Sequence, residues 1–149
     1  GSTSAGAEVS KAASSSFKKI SLELGGKNPT IVFADADMKD AVAGALRAAF
    51  TNQGQVCLCG SRILVERKIH DEFLSELVKL TKRMKIGNPS DKNVDLGAVI
   101  SHEHRDKIEE YIRLGIEEGG RIECGGKRPE LKAPWNNGAF LAESGLPKY

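Results

Sequence analysis

The chain has 149 residues, of which 40% are hydrophobic, a length and composition typical of one globular domain with a core. Its 22 basic and 20 acidic residues give a formal charge of +2, and no Lys/Arg block alternates with aromatic residues, so we expect no nucleic-acid partner. Its apolar stretches are far shorter than the roughly 20 residues that cross a bilayer, which predicts a soluble, cytoplasmic protein without a membrane partner. Three cysteines, an odd number, favour reduced thiols over a disulfide framework.

Strands and helices are predicted in alternation along the chain. Residues 5–16 are mostly small and fit either a linker or a tightly packed helix. Hydrophobic runs predict short strands at 19–23, 29–33, 61–66 and 121–124, and the glycines at 25 and 26 break the chain between the first two. Strands alternating with helices over short connections predict an α/β fold with a largely parallel sheet.

Three helices are predicted from spacing and capping signals. The first is capped by Asp35 or Asp37 and ends at Gly54, and the second runs from 69 to 84 and ends near Gly87. The third is capped by Ser101 and ended by the glycines at 119 and 120, and its inward side chains are predicted to be Ile108, Ile112 and Ile116. Residues 88–97 are predicted to be a loop, and roughly the last two dozen residues a coil.

Cys57 follows a predicted helix end and a glycine, which is a plausible mount for an exposed nucleophile. From the thiol alone, a buried and inert cysteine is the more frequent interpretation, because free cysteine is among the most buried residue types. Glu23 ends a predicted strand, and a carboxylate there can activate water if an apolar setting raises its pKa. Taken by itself, an exposed strand-end charge is again the commoner interpretation.

The first six residues, Gly1 to Gly6, combine hydroxyl groups with glycines ahead of a possible helix and resemble a phosphate-binding turn. The full glycine-rich fingerprint is absent, so a plain Ser/Gly-rich segment fits equally well. Metal binding is not expected, since a structural zinc site needs about four ligands with paired spacing. The remaining candidate ligands are scattered along the chain: Cys59, His70, His102, His104 and Cys124.

Several motifs, taken in order, resemble the aldehyde dehydrogenase family. Glu23 falls in the family's glutamate signature, and Cys57 falls in its cysteine signature 34 residues later. The segments most similar to the 2-aminomuconic and 2-hydroxymuconic semialdehyde dehydrogenase branch are Cys57-Leu58-Cys59, Ser61-Arg62 and 101–107. The motifs that carry the family resemblance are Gly1-Ser2-Thr3, Leu22-Glu23-Leu24-Gly25-Gly26-Lys27, Gly54-Gln55-Val56-Cys57, Gly87-Asn88-Pro89, Leu96-Gly97 and Gly138-Ala139-Phe140.

The resemblance implies an oxidoreductase that converts an aldehyde, expected to be a semialdehyde, into a carboxylic acid with NAD or NADP. A Cys57 thiolate would attack the aldehyde, hydride would leave for the nicotinamide, and Glu23 would activate the water that hydrolyses the thioester. For cofactor binding, Ser2 matches the residue at the pyrophosphate, Gly1 and Gly6 match its turn, and Leu24 matches a position near the nicotinamide amide. The implied partner is a small aldehyde, and the parent enzyme is expected to be a homo-oligomer.

The resemblance also implies that the chain is an internal fragment. Residues 1–25 would be the C-terminal part of an NAD(P)-binding domain, and residues 26–149 an incomplete catalytic domain. The family's adenosine-binding strand, upstream oxyanion asparagine and downstream ribose-contacting glutamate have no counterpart, and 141–149 departs from the usual proline-threonine continuation. Two alternatives therefore stay open: a catalytically silent association module, and a cofactor-free esterase that uses the same thiol.

Overall fold

The computed structural model describes residues 1–142 of the chain. Its helices are α1 (Thr3–Ser14), α2 (Met38–Phe50), α3 (His70–Thr81) and α4 (His102–Glu117), and its strands are β1 (Pro29–Val32) and β2 (Arg62–Val65). Short 3-10 turns cover Thr51–Gly54, Arg67–Ile69 and Trp135–Asn137. β1 and β2 pair in parallel, from Pro29 opposite Arg62 to Val32 opposite Val65, and α2 connects them. The predicted α/β class with a parallel sheet is confirmed.

Helix starts follow the capping residues in the sequence. The Asp37 carboxylate accepts from the Asp40 N–H at 2.9 Å, and the Ser101 hydroxyl accepts from the His104 N–H at 3.1 Å. Both bonds satisfy backbone donors that a helix start leaves unpaired. The small residues near the start of the chain form α1 rather than a linker, and the Ser2 hydroxyl caps it by accepting from the Ala5 N–H at 3.1 Å.

The core lies between the strand pair and the two helices that pack on it, α2 and α3. Its fully buried centre contains Val32 of β1, Val42 and Ala45 of α2, and Phe73 of α3. Partly buried apolar residues surround this centre: Met38, Ala41, Ile63, Val65, Ile69, Leu77 and Leu80. The segment 29–81 is therefore a packed βαβα unit, called the core unit below. Every helix of the described residues is too short or too polar to cross a membrane.

The strand predicted at 19–23 is wrong. Ile20, Leu22 and Leu24 do alternate as a strand would, but each stays 40 to 44% exposed. In residues 1–142 the backbone of this run makes one hydrogen bond outside itself, from the Gly1 amine to the Glu23 carbonyl at 2.7 Å. A strand needs a neighbour that pairs with its ladder of N–H and C=O groups, and none lies beside this run among the described residues.

The strand predicted at 121–124 is also wrong, because only Cys124 reaches bridge geometry. Left-handed glycines flank the run, at Gly119 on one side and at Gly125 and Gly126 on the other, and they leave too few extended residues for a ladder. α4 is confirmed and buries Ile112, but Ile116 is 47% exposed instead of facing inward. The predicted terminal coil holds through residue 142 apart from one 3-10 turn, and 143–149 lie outside the described residues.

Candidate active site

Cys57 lies in a four-residue turn, Val56 to Cys59, which we call the cysteine turn. The Cys59 N–H donates to the Val56 carbonyl at 2.8 Å, and the Val56 N–H donates to the Cys59 sulfur at 3.4 Å. Cys59 is 7% exposed, whereas Cys57 is exposed. The two neighbouring thiols are therefore divided: Cys59 closes the turn from inside, and Cys57 faces solvent.

A left-handed backbone segment connects α2 to the cysteine turn. Asn52, Gln53 and Gly54 have φ angles of 52°, 54° and 68°. This conformation is favourable for glycine, tolerated by asparagine and costs about 1–2 kcal/mol for an ordinary residue such as glutamine. Turning the Gln53 amide oxygen toward the 88–97 loop lets it accept from the Gly97 N–H at 2.7 Å, which offsets part of that cost.

Asn28 joins the glutamate motif to the cysteine turn, and sequence reasoning missed it. Its side-chain Nδ2 donates to the Cys57 carbonyl at 2.7 Å and to the Cys59 carbonyl at 3.2 Å. Asn28 directly precedes β1 and follows Glu23 by five residues. The available signal was a polar amide directly ahead of a strand, beside a glycine break, but its partners lie about 30 residues away in sequence.

The predicted cofactor residues lie near the glutamate motif. Gly6 is the only buried residue of α1, and a Cβ built there would lie 2.9 Å from the Leu24 side chain. The same side chain is 3.8 Å from a Cβ built at Gly1, and Ser2 caps the helix between these glycines. The structure thus brings Leu24 and the phosphate-like turn together. Glu23 is exposed, and in residues 1–142 no hydrogen bond joins it to Cys57.

The helix start at Ser2 suits a phosphate group. The first N–H groups of any helix lack intrahelical acceptors and carry the positive end of its dipole. The first turn of α1 contains no acidic side chain that would repel an anion. Residues Ser2, Thr3 and Ser4 therefore fit the pyrophosphate of a dinucleotide in charge and donor content.

The charges with shifted pKa values lie away from Cys57 and Glu23, mainly on α4. Arg128 donates to both carboxylate oxygens of Glu109 at 2.7 Å and lowers the pKa of that carboxyl. Arg105, whose residue is 9% exposed, lowers the pKa of Asp106 in the same way through its hydrogen bond. These groups form a surface ion-pair cluster, to which we assign no reaction.

Two further structural features bear on the chemistry. In the described part of the chain, no three His, Cys, Asp or Glu side chains are grouped so as to hold a metal ion. A surface depression of about 820 Å³ lies along α3 beside Arg121 and Glu123, but neither Cys57 nor Glu23 lines it. The geometric case for a site therefore depends on the cysteine turn and its contacts, not on cavity volume.

The molecule is thus an α/β protein with an exposed cysteine on a turn ahead of its second parallel strand, and with a glutamate segment tied to that turn. The model of the aldehyde dehydrogenase family matches residues 1–143. The chain belongs to the aldehyde dehydrogenase family.

Relatives with related names match over most of the chain. It is 56% identical over 130 residues to betaine aldehyde dehydrogenase of Bacillus subtilis, a match covering 87% of this chain and 26% of that protein. It is 47% identical over 137 residues to 2-aminomuconic semialdehyde dehydrogenase of Danio rerio, covering 92% of this chain and 28% of that one. The chain therefore spans about a quarter of the length of the curated relatives it matches.

The fold agrees with a solved structure. A betaine aldehyde dehydrogenase of Staphylococcus aureus in complex with NAD+ superposes with a TM-score of 0.90 at 42% identity. The match covers 97% of this chain and 28% of that protein. The resemblance seen in the sequence, including its relation to the muconic semialdehyde enzymes, is confirmed at the level of family, fold and homologous relatives.

Proposed function

We propose that this chain carries the nucleophile and the general base of an NAD(P)-dependent aldehyde dehydrogenase, Cys57 and Glu23. The observation that carries the proposal is the contact between the two motif segments. Asn28, at the end of the glutamate motif, donates to the Cys57 and Cys59 carbonyls. Family membership supplies the reaction class. In the same proposal, residues 1–25 close an NAD(P)-binding domain and residues 26–149 open an incomplete catalytic domain.

Cys57 is the nucleophile in this scheme. Its thiolate sulfur bonds to the aldehyde carbon, and the carbonyl electron pair moves to the oxygen, which becomes an oxyanion. Within residues 1–142 the Cys57 N–H donates no hydrogen bond, so it is free to donate to that oxyanion. The exposure of the thiol at the turn leaves it open to a small carbonyl compound.

The bound cofactor would supply a hydride acceptor, so that the carbon attached to the Cys57 sulfur is oxidised to a thioester. Glu23 then accepts a proton from water, whose oxygen attacks the thioester carbonyl and releases the carboxylic acid and the Cys57 thiol. Ser2, Gly1 and Gly6 would hold the pyrophosphate, and the packing of Leu24 on Gly6 would orient the glutamate segment beside the cofactor.

A semialdehyde is the substrate class that we favour. The sequence around Cys57 and the run 101–107 resemble the muconic semialdehyde branch, and the Danio rerio relative is named for such a substrate. The Bacillus subtilis relative is named for betaine aldehyde, which makes that compound the natural competitor. A ratio of kcat/KM for 2-hydroxymuconic semialdehyde over betaine aldehyde well above one supports our choice, and a ratio below one refutes it.

The proposed nucleophile is tested in the full-length polypeptide that carries this chain, by following NADH formation. Cys57→Ala is expected to remove activity, and Cys124→Ala, which removes another thiol, is expected to keep it. Glu23→Gln is expected to give one burst of NADH followed by slow turnover, because the thioester forms but hydrolyses slowly. Unchanged NADH formation by Cys57→Ala contradicts the proposal.

A second experiment asks whether these 149 residues bind the cofactor by themselves. Calorimetric titration of the chain with NAD and, separately, with NADP reports saturable binding if the α1 start and the glutamate segment suffice. Ser2→Ala is the matched variant, because it removes the hydroxyl at the phosphate position and leaves the helix backbone. Absence of saturable heat with either cofactor supports the interpretation of the chain as catalytically silent by itself.

A further inference from the structure

Asn28 is the one side chain that bonds the cysteine turn from outside it through two backbone acceptors. Its Nδ2 carries two protons, and each has its own carbonyl partner, at 2.7 Å on Cys57 and at 3.2 Å on Cys59. These carbonyls flank Leu58, whose side chain is 82% exposed and contributes little packing. The orientation of the peptide planes around Leu58 therefore depends on hydrogen bonds rather than on a packed side chain.

We propose that Asn28 is a positioning residue for the nucleophile: its amide holds the Cys57 backbone so that the thiol and the N–H face the incoming aldehyde together. This inference rests on the proposed function and adds a residue to its machinery. A peptide plane whose carbonyl is fixed by a donor cannot rotate freely. The φ and ψ of Cys57, and hence the directions of its side chain and N–H, are thereby restricted.

The backbone around Asn28 is anchored independently of its side chain. The Asn28 carbonyl accepts from the Arg62 N–H at 3.2 Å, next to the parallel ladder that begins with Pro29 opposite Arg62. The far end of the cysteine turn is anchored separately, by the Gly60 N–H donating to the Ala48 carbonyl at 2.9 Å. Removing the Asn28 amide therefore frees the turn tip while its two attachment points remain.

Asn28 also couples the nucleophile to the general base. The chain from Glu23 to Asn28 is coil, and its side-chain contact with the cysteine turn fixes the end of this segment next to β1. A displacement of about 1 Å between reacting groups can cost on the order of 100-fold in rate, so a clamp at this junction has leverage on the chemistry. Its loss is expected to act on kcat more than on aldehyde binding.

The test compares Asn28→Ala and Asn28→Ser in the full-length polypeptide that carries this chain. Alanine removes both donors, whereas serine keeps one hydroxyl donor on a shorter side chain. We expect kcat to fall by on the order of 100-fold in Asn28→Ala and by less in Asn28→Ser, with KM changed by no more than about two-fold. Asn136→Ala is the control, since Asn136 is an exposed asparagine in the 3-10 turn at 135–137.

A second measurement does not require turnover. The rate of iodoacetamide alkylation, followed at Cys57 by mass spectrometry across a range of pH, reports the presentation of the thiol. If Asn28 positions the turn, Asn28→Ala changes this rate profile and Asn136→Ala does not. A wild-type enzyme that forms no NADH removes the proposed function, but the alkylation profile still tests the clamp. A folded Asn28→Ala variant with wild-type kcat and an unchanged profile overturns the inference, as does a rise in KM alone. If Asn28→Ala does not fold, Asn28→Ser decides by the same criteria.

Discussion

The core unit and the first 27 residues hold their functional groups in different ways. In the core unit, Cys57 follows a helix that is packed through Val42 and Ala45, and its turn leads into β2. In the first 27 residues only Gly6 is buried, and Phe17 is 95% exposed. The nucleophile is thus supported by a hydrophobic core, whereas the proposed general base depends on a few contacts near Leu24 and Asn28. The difference shows that two motifs of one family site can have very unequal structural support.

The largest expected effect tests this contrast with two phenylalanines. Phe73 is 2% exposed at the centre of the core unit, and Phe73→Ala is expected to lower the free energy of unfolding by about 3–5 kcal/mol. Phe17→Ala, the same chemical change at an exposed position, is expected to stay within about 0.5 kcal/mol. Urea denaturation of the chain measures both. Similar losses in the two variants would show that residues 1–27 are packed as tightly as the core unit.

A smaller effect is expected where the cysteine turn enters β2. A Cβ built on Gly60 would lie 2.0 Å from the Thr30 hydroxyl and 3.4 Å from the Ala48 Cβ. Gly60→Ala therefore forces β1 and α2 apart and is expected to cost about 1–3 kcal/mol in the free energy of unfolding. The Gly60→Ala/Thr30→Ala double variant is expected to recover part of that loss, because the nearest clashing atom is gone.

Gly25→Ala is the control for that substitution. A Cβ on Gly25 meets nothing within 4 Å, and its φ is not positive. We expect no loss of stability there, since alanine fits the backbone and reduces the freedom of the unfolded chain. Equal losses at Gly25 and Gly60 would mean that close packing is not what requires glycine at the turn. Chemical denaturation of all four variants gives the comparison.

The core unit was predictable from the sequence because its signals are local. Helical spacing and the Asp37 cap identified α2, and a short apolar run identified each of β1 and β2. The strand predicted at 19–23 failed for a nonlocal reason: alternation at Ile20, Leu22 and Leu24 shows which residues would share a face, but not whether a partner strand is present. Sequence pattern carries no record of that partner.

The candidate site was predictable only in part, for the same reason. Cys57 and Glu23 were identified from motifs, and the structure gives Cys57 the exposure that its role needs. Asn28 was missed because its role depends on carbonyls 29 and 31 residues later, which no local rule connects to it. The burial of Cys59 beside an exposed Cys57 likewise depends on how the turn closes, and the two thiols look equivalent in the sequence.

A third prediction applies one change of the same kind to both regions. Asp37 and Ser2 each cap a helix by accepting a backbone N–H, at 2.9 Å and 3.1 Å. Asp37→Ala is expected to cost about 1 kcal/mol of global stability, because α2 belongs to the core unit. Ser2→Ala is expected to leave global unfolding unchanged and to speed hydrogen exchange of the Ala5 amide, since α1 contributes one buried residue. Equal global losses would indicate that α1 unfolds together with the core unit.

The smallest expected effect concerns a surface contact that depends on charge alone. Arg128 lowers the pKa of Glu109 below its ordinary value of 4.5, so the folded state binds that proton less readily than the unfolded state. The stabilisation is therefore complete above about pH 4.5 and is lost as the pH falls through the lowered folded-state pKa. Arg128→Gln should lower Tm slightly at pH 7 at low salt, and this difference from wild type should shrink in acid and in high salt.

Lys132→Gln provides the matched loss of one positive charge, since Lys132 is exposed and makes no ion pair within residues 1–142. Thermal unfolding at neutral and acid pH should leave its Tm close to wild type in both conditions. If Arg128→Gln and Lys132→Gln behave alike, net charge rather than the Glu109 contact sets the pH dependence. A distinct acid-sensitive loss for Arg128→Gln alone would show that α4 and the 126–142 segment are joined by this pair. Such a join would resemble the N-terminal contacts in depending on a few polar groups, and would differ from the core unit, whose stability is expected to follow buried apolar area.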